Sequence, residues 1–292
     1  MLDLRRPGVL SLTLIERARA FARDIGANPR PAHYNLEARL GSGTWTETEL
    51  RFPRSLGPFI LCGVIDGAVQ YPNGLSALLR LRVGTRRYLD DVDICAIAQR
   101  ACGGATANDR LVHGRVDWPR PIVVGRGETL RAAIRMITAG AEEVTPLLLA
   151  GFHADDATAD AFIQSGELWA TTMTPSTLGA DSDDGTDEDV YTAGSTIVLD
   201  EIVSATDAGN NAVQSGGTVT RLDIRVGDVS LTPLGLTDTR LGTSSMLAFA
   251  TSLAGLQLRE GEQITVRQRG INLGDRRTPL TFIGRRMRDA ND

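Results

Sequence analysis

Residues 123–137 read VVGRGETLRAAIRMI, and residues 257–271 read QLREGEQITVRQRGI. Each stretch sets a Gly-Glu pair, Gly127-Glu128 and Gly261-Glu262, ahead of alternating apolar positions: Leu130, Ala132, Ile134 and Met136 in one, Ile264 and Val266 in the other. That is the pattern of a turn feeding a half-buried strand. The echo extends in both directions. PLLLAGFH (146–153) matches PLTFIGRR (279–286), with Pro146 over Pro279 and Gly151 over Gly284. Upstream, PFILCGVID (58–66) faces TIVLDEIVS (196–204), and LLRLRVG (78–84) faces RLDIRVG (221–227). Four segments recurring in one order, with spacers of unequal length, describe a duplicated strand framework. Two copies are too few for a solenoid, and each unit is domain-sized.

At 292 residues the chain exceeds the size at which a single core stops growing, so two domains joined near Ala154 are expected. Apolar residues make up 42% of it, yet no apolar run reaches the length of about 18 residues that marks a spanning helix. The N-terminus has no long apolar stretch with a small-residue cleavage site, so no signal peptide is expected. The cysteines, Cys62, Cys95 and Cys102, and the histidines, His33, His113 and His153, all precede residue 154. A related second half without either residue type excludes a duplicated His- or Cys-based site, and no metal or other cofactor is expected. All 31 basic residues are arginine. Residues 1–154 carry 20 of them against 15 acids, whereas residues 155–292 carry 11 against 21. The chain as a whole has a net charge of −5, which argues against a general nucleic-acid binder.

Before the strands comes a different pattern. From Leu12 onward, Leu14, Ile15, Ala18, Phe21, Ala22 and Ile25 share one sector of a helical wheel, opposite Glu16, Arg19 and Arg23. Thr13 and Glu16 form a capping box and Gly26 a stop, so residues 1–30 are expected to be an arm bearing a short amphipathic helix. Such a helix either packs on its own domain or docks on a neighbouring subunit or an anionic surface. From residue 31 to about 288 the chain reads as short strands punctuated by Gly, Pro, Asn and Asp, with ATADAFIQSG as a short helix at the start of the second half. The fold class expected is all-β: two tandem jelly-roll β-sandwiches, 31–154 and 155–292, after the N-terminal helix. The second contains a long loop, 174–195, whose acids Asp181, Asp183, Asp184, Asp187, Glu188 and Asp189 are expected to be exposed. Their spacing fails the calcium-loop pattern, with Gly185 at position 5 when counting from Asp181. Asp90, Asp91 and Asp93, beside Arg86 and Arg87, read as an ion-paired turn. GSGTWT and GRGETL lack the third glycine of a dinucleotide fingerprint, no nucleophile elbow or phosphate loop appears, and no catalytic residues are assigned.

In layout, with its helical arm, tandem β-units and long polar loops, the chain resembles the double jelly-roll major capsid proteins of icosahedral bacteriophages, including those with an internal membrane. The resemblance covers nearly the whole chain and is architectural, without a diagnostic motif. It implies a non-enzymatic virion protein, made in the host cytoplasm, whose homotrimers form pseudo-hexagonal tiles of the capsid shell. It also implies partners: other copies of the chain, the internal membrane or genome through the arm, and minor virion proteins. Strand arginines Arg80, Arg82, Arg131 and Arg135, with Arg221, Arg225, Arg267 and Arg269 as counterparts, then lie on barrel flanks as inter-subunit contacts, or else on solvated outer faces. Two other readings stay open: a metal-free bicupin-like enzyme or binding protein, since the Gly-Glu turns suit cupins although no His-x-His exists here, and a head-decoration or spike protein of a tailed phage or phage-like particle.

Overall fold

A computed structural model describes residues 30–40, 45–66, 77–100, 118–136, 143–173, 186–204, 219–231, 239–240, 249–271 and 280–287. The N-terminal helix therefore lies outside the described residues, as do Asp181, Asp183 and Asp184. Among the described residues, nine strands precede residue 154: β1 (Arg30–Leu40), β2 (Thr46–Arg51), β3 (Phe59–Asp66), β4 (Ala77–Val83), β5 (Arg86–Asp93), β6 (Ala98–Arg100), β7 (Ile122–Val124), β8 (Thr129–Met136) and β9 (Glu143–His153). After the helix Asp156–Gln164 come β10 (Glu167–Met173), β11 (Thr186–Thr192), β12 (Ile197–Ser204), β13 (Val219–Val226), β14 (Val229–Ser230), β15 (Thr239–Arg240), β16 (Phe249–Leu258), β17 (Gln263–Ile271) and β18 (Leu280–Arg286).

Three sheets hold these strands. The first runs β1-β9-β3-β6, with β7 also on β3; the second runs β16-β12-β18-β10-β5-β4-β8-β2; the third runs β11-β17-β13-β14, with β15 on β13. The middle sheet is two half-sheets joined where β10 pairs with β5. Its β2-β8-β4-β5 half faces the first sheet, and its β10-β18-β12-β16 half faces the third. Each half of the chain thus closes a jelly roll with one strand order: first strand beside the last, second beside the next to last. Two tandem jelly-roll sandwiches, all-β, is the architecture.

The duplication is visible residue by residue. In the first unit Leu61 lies opposite Gly151, and the register slips between Leu61 and Gly63. In the second Leu199 lies opposite Gly284, and it slips between Leu199 and Glu201. A Cβ on Gly151 would stand 2.1 Å from the Ile60 carbonyl oxygen, and one on Gly284 would stand 2.3 Å from that of Val198. Both glycines are therefore required by a bulge that brings the neighbouring backbone too close for any side chain. The turn before β8 recurs as well. Gly125 N–H donates to Glu128 Oε2 at 2.6 Å, as Arg259 N–H does to Glu262 Oε2 at 2.7 Å. Gly127 and Gly261 follow the same left-handed course, with φ of 71° and 81°. Val83 faces Leu130 as Val226 faces Ile264, so the strand pairs leave this turn in equal register.

Each sandwich has its own core. The first gathers Phe52, Phe59, Leu79, Tyr88, Trp118, Ile134 and Leu149; the second Trp169, Ile202, Val226, Leu258, Ile264 and Phe282. Strand β10 serves both, because Trp169 and Met173 enter the second core while Leu168 and Ala170 enter the first. A strand covered on both faces reads as a continuous buried run. The helix Asp156–Gln164 is capped by Asp155, which accepts from Thr158 N–H at 2.7 Å. It lays Ala159 and Phe162 on Ile60, Cys62, Val123 and Phe152 of the first sheet.

Local expectations need correcting in several places. Residues 94–97, within the stretch expected as short strands, form a single helical turn. The acidic stretch after Arg86 is strand β5, not a turn. Within the stretch expected as a loop over 174–195, Thr186–Thr192 form β11, so Asp187, Glu188 and Asp189 are strand residues opposite Gln268, Arg267 and Val266. Pairing with β17 supplies backbone partners and, for Glu188, a cation, which together outweigh the poor strand preference of acids.

Candidate assembly surface

Strands β2, β8 and β4 turn charged residues outward while Leu81, Ala132 and Ile134 turn inward, the alternation of a half-buried sheet. Arg82 and Arg131 stand opposite each other. Arg82 Nη2 donates to both oxygens of Glu47, at 2.8 and 2.7 Å, and Arg131 pairs with Glu49 and, at 3.8 Å, with Glu47. Arg80 pairs with Asp91, one contact being 2.9 Å from Nη2, and its guanidinium lies 3.7 Å from the centre of the Trp45 ring. Arg135 approaches the same ring at 5.0 Å. Two cations over one indole are stabilised by the ring's negative face. A depression of about 110 Å³ opens among these groups, lined by Trp45, Glu47, Arg80, Arg82, Arg131 and Asp90. Burial raises the Asp90 carboxyl pKa, opposed by Arg87, reinforced by Asp91 and opposed again by Arg80.

Arg80, Arg82, Arg131 and Arg135 are thus brought together on one outer face, engaged with acids and the indole of their own chain. In the second unit Arg267 Nε donates to Glu188 at 2.5 Å, and Asp223 stands opposite Arg267 on the other side. Arg225 is exposed, and Arg221 lies opposite Arg269 in the β13–β17 pair. Register corrects part of the counterpart scheme: Arg82 and Arg225 are equivalent, facing Arg131 and Thr265 respectively, but the place of Arg80 is taken by Asp223.

The seam between sandwiches was not foreseen. Ala170 and Thr171 of β10 run parallel to Leu89 and Asp90 of β5, and Thr171 Oγ1 donates to the Asp90 carbonyl at 2.9 Å. Glu167, only 2% exposed, accepts from the Tyr88 hydroxyl at 2.9 Å on each oxygen and from Val123 N–H at 2.9 Å. A buried carboxylate held by donors from the preceding unit fixes the two units against each other. The only sequence signal is ELWATT itself, an acid set directly before the apolar run Leu168-Trp169-Ala170. Near the start of β1, Tyr34 Oη lies 2.6 Å from His153 Nε2, and His153 Nδ1 lies 3.2 Å from the Gly57 carbonyl, among the rings of Phe52 and Phe59. Among the described residues, no three His, Cys, Asp or Glu side chains are grouped to hold a metal ion.

No protein-family model matches the chain, and no curated protein does. Among solved structures it is similar to the PBCV-1 virus capsid, at 9% identity over 89% of this chain and 94% of that one, with a TM-score of 0.39. The STIV MCP matches at 10% identity over 88% and 97%, TM-score 0.39. The major capsid protein P2 of bacteriophage PM2 matches at 9% identity over 90% and 99%, again with a TM-score of 0.39. The double jelly-roll assignment itself rests on the strand order and register described above.

Proposed function

We propose that the chain is a structural virion protein, a major capsid protein whose trimers are pseudo-hexagonal tiles of an icosahedral shell. One observation carries this reading: two jelly rolls of equal strand order are fused flank to flank through a shared sheet, with strand β10 buried on both faces. Such a unit is already two segments of a ring, and three copies joined head to tail close it. On this reading the chain divides into an arm, 1–30, and sandwiches 31–154 and 155–292. The arm, through Leu14, Ile15, Ala18, Phe21, Ala22 and Ile25, docks on a neighbouring subunit or faces the interior membrane or genome. The helix Asp156–Gln164 supports that role, because it precedes β10 as the arm precedes β1 and packs on a sheet of the preceding unit. The acids Asp181, Asp183 and Asp184, with Glu188 on the exposed face of β11, face solvent on the outer side. The arginine-rich face of β2, β8 and β4 abuts the next subunit, its mixed charges setting partner and register more than affinity.

Light scattering on the purified protein tests the tile, and electron microscopy of the expressed protein tests the shell. Three times the chain mass of 31.3 kDa and closed particles are the expected results. A monomer that forms no particles at any protein concentration overturns the reading.

A further inference from the structure

We infer that the β14 edge of one copy joins the β1 edge of the next, completing between chains the same eight-stranded sheet that the chain completes within itself. The inference rests on the trimeric reading and names its seam. Inside the chain, the half-sheet ending in β5 continues into the half-sheet beginning with β10. The equivalents left over are the third sheet, ending in β14, and the first sheet, beginning with β1. Strand β14 follows β13 as β5 follows β4: Ser230 stands opposite Arg225 as Arg87 stands opposite Arg82. Strand β1 flanks β9 as β10 flanks β18: Ala32 faces Gly151 as Trp169 faces Gly284. Among the described residues β1 and β14 each pair on one side only, which leaves one edge of each strand open to a further strand.

The occupant is a second copy of this chain, because the complementary edge is present on every copy and the internal seam supplies the geometry. A difference between the two units points the same way. At the start of β5, Arg86 Nη2 donates to Glu128 at 2.9 and 2.8 Å, and the arginine side chain is only 19% exposed. The equivalent residue, opposite Val226 as Arg86 is opposite Val83, is Val229. It is 45% exposed, one of three large apolar side chains so exposed among the described residues. An apolar residue at an uncovered strand edge invites a strand partner. Charge agrees: residues 1–154 carry 20 arginines against 15 acids and residues 155–292 carry 11 against 21, so joining the second unit of one chain to the first of the next brings opposite signs together.

The internal register identifies the pair to test. Ala170 lies beside Leu89, and Leu89 stands opposite Leu81, where the β4–β5 register shifts before Arg82 and Arg87. Ala170 faces Ile283 as His33 faces Ala150, and the place of Leu89 is held by Leu231, whose N–H donates to the Ile224 carbonyl. His33 and Leu231 of successive copies are therefore neighbours across the seam, as are Ala32 and Ser230 one residue earlier on each strand. Adjacent strands lie about 4.8 Å apart, within reach of a disulfide. The full chain carrying Ala32→Cys and Ser230→Cys, oxidised as the native assembly, is expected to run as covalent trimers on non-reducing gels, while each single variant stays at monomer mass. Hydrogen exchange on the unsubstituted protein gives a second reading: amides of residues 30–40 are expected to exchange about tenfold or more slowly in the trimer than in its dissociated chain. Trimers that neither cross-link nor protect residues 30–40 overturn the seam and leave the tile standing. Cross-linked dimers alone overturn the head-to-tail join. Monomers at every concentration overturn both the seam and the tile.

Discussion

The hydroxyl of Tyr88, on the last strand of the first half-sheet, donates to the carboxylate of Glu167, on the first strand of the next, 2.9 Å from each oxygen and out of reach of solvent. The pair lies beside the short parallel seam of β5 and β10 that joins the two sandwiches. Removing one member leaves the other buried with a hydrogen bond unmade, which costs about 1–3 kcal/mol. Tyr88→Phe and Glu167→Gln are therefore each expected to lower the urea midpoint, and the double variant to lose less than the sum. Additive losses would show that the pair is not coupled across the seam.

The two bulge glycines are expected to behave as twins. Gly151→Ala and Gly284→Ala each drive a methyl into a carbonyl oxygen, at 2.1 and 2.3 Å, and overpacking of this kind costs about 1–3 kcal/mol. Gly194 has nothing within 4 Å of its would-be Cβ, so Gly194→Ala is expected to change stability by less than about 0.5 kcal/mol. Denaturant titration of the three variants decides it; a tolerated alanine at either bulge would contradict the close approach.

Burial raises the Asp90 carboxyl above the ordinary aspartate range, so the folded chain holds the Asp90 proton more tightly than the unfolded chain does. Its ionisation therefore opposes folding, an effect absent below the unfolded value and fully present above the folded one. Asp90→Asn is expected to raise the unfolding midpoint at pH 7, with the advantage fading on acidification. A midpoint difference independent of pH would refute this origin.

Asp155 shows the opposite sign. Its hydrogen bonds from Thr158 hold the carboxyl below the usual range, so it stabilises the helix Asp156–Gln164 above the unfolded value, and the benefit is lost as pH falls through the folded one. Asp155→Ala is expected to speed amide exchange in this helix at neutral pH and to make little difference in strong acid. Equal rates at neutral pH would exclude the cap.

Deletion of residues 1–26 separates the two roles open to the arm. Six apolar side chains of modest size, worth about 1.5–3 kcal/mol for each large one fully buried, are a small share of what two β-cores bury. The truncated chain is expected to fold, keep its β-rich circular dichroism and form trimers, yet fail to close particles. Normal particles would end the assembly role, and insoluble protein would show that the arm packs on its own domain.

The paired glycines were legible because both the bulge and the left-handed turn demand that residue type, so the demand is written in the letters twice. Most strands followed from two-residue alternation. Strand β5 was not legible, since Asp90 and Asp91 imitate a turn and only Tyr88, Leu89 and Val92, buried at 1% or less, betray it. Strand β11 was hidden by its acids, whose partner Arg267 lies 79 residues away. The arginines of the outer face were found by residue type, but their partners Glu47, Glu49 and Trp45 belong to strands whose neighbours only the topology reveals. The parallel seam left no local mark beyond the acid that opens β10, because it joins residues about 80 positions apart through a short contact.

The parallel seam also sets how the molecule yields to force. A pull that parts the two sandwiches sideways meets two residue pairs of backbone bonding, Ala170 with Leu89 and Thr171 with Asp90, and those bonds open one after another like the teeth of a zip. A pull along the strands must shear them together with the long pairings on either side, such as the seven residue pairs of β10 with β18. The join accordingly resists a pull along the strands more than a pull across its middle, where two backbone pairs and the buried Tyr88–Glu167 contact hold the units together.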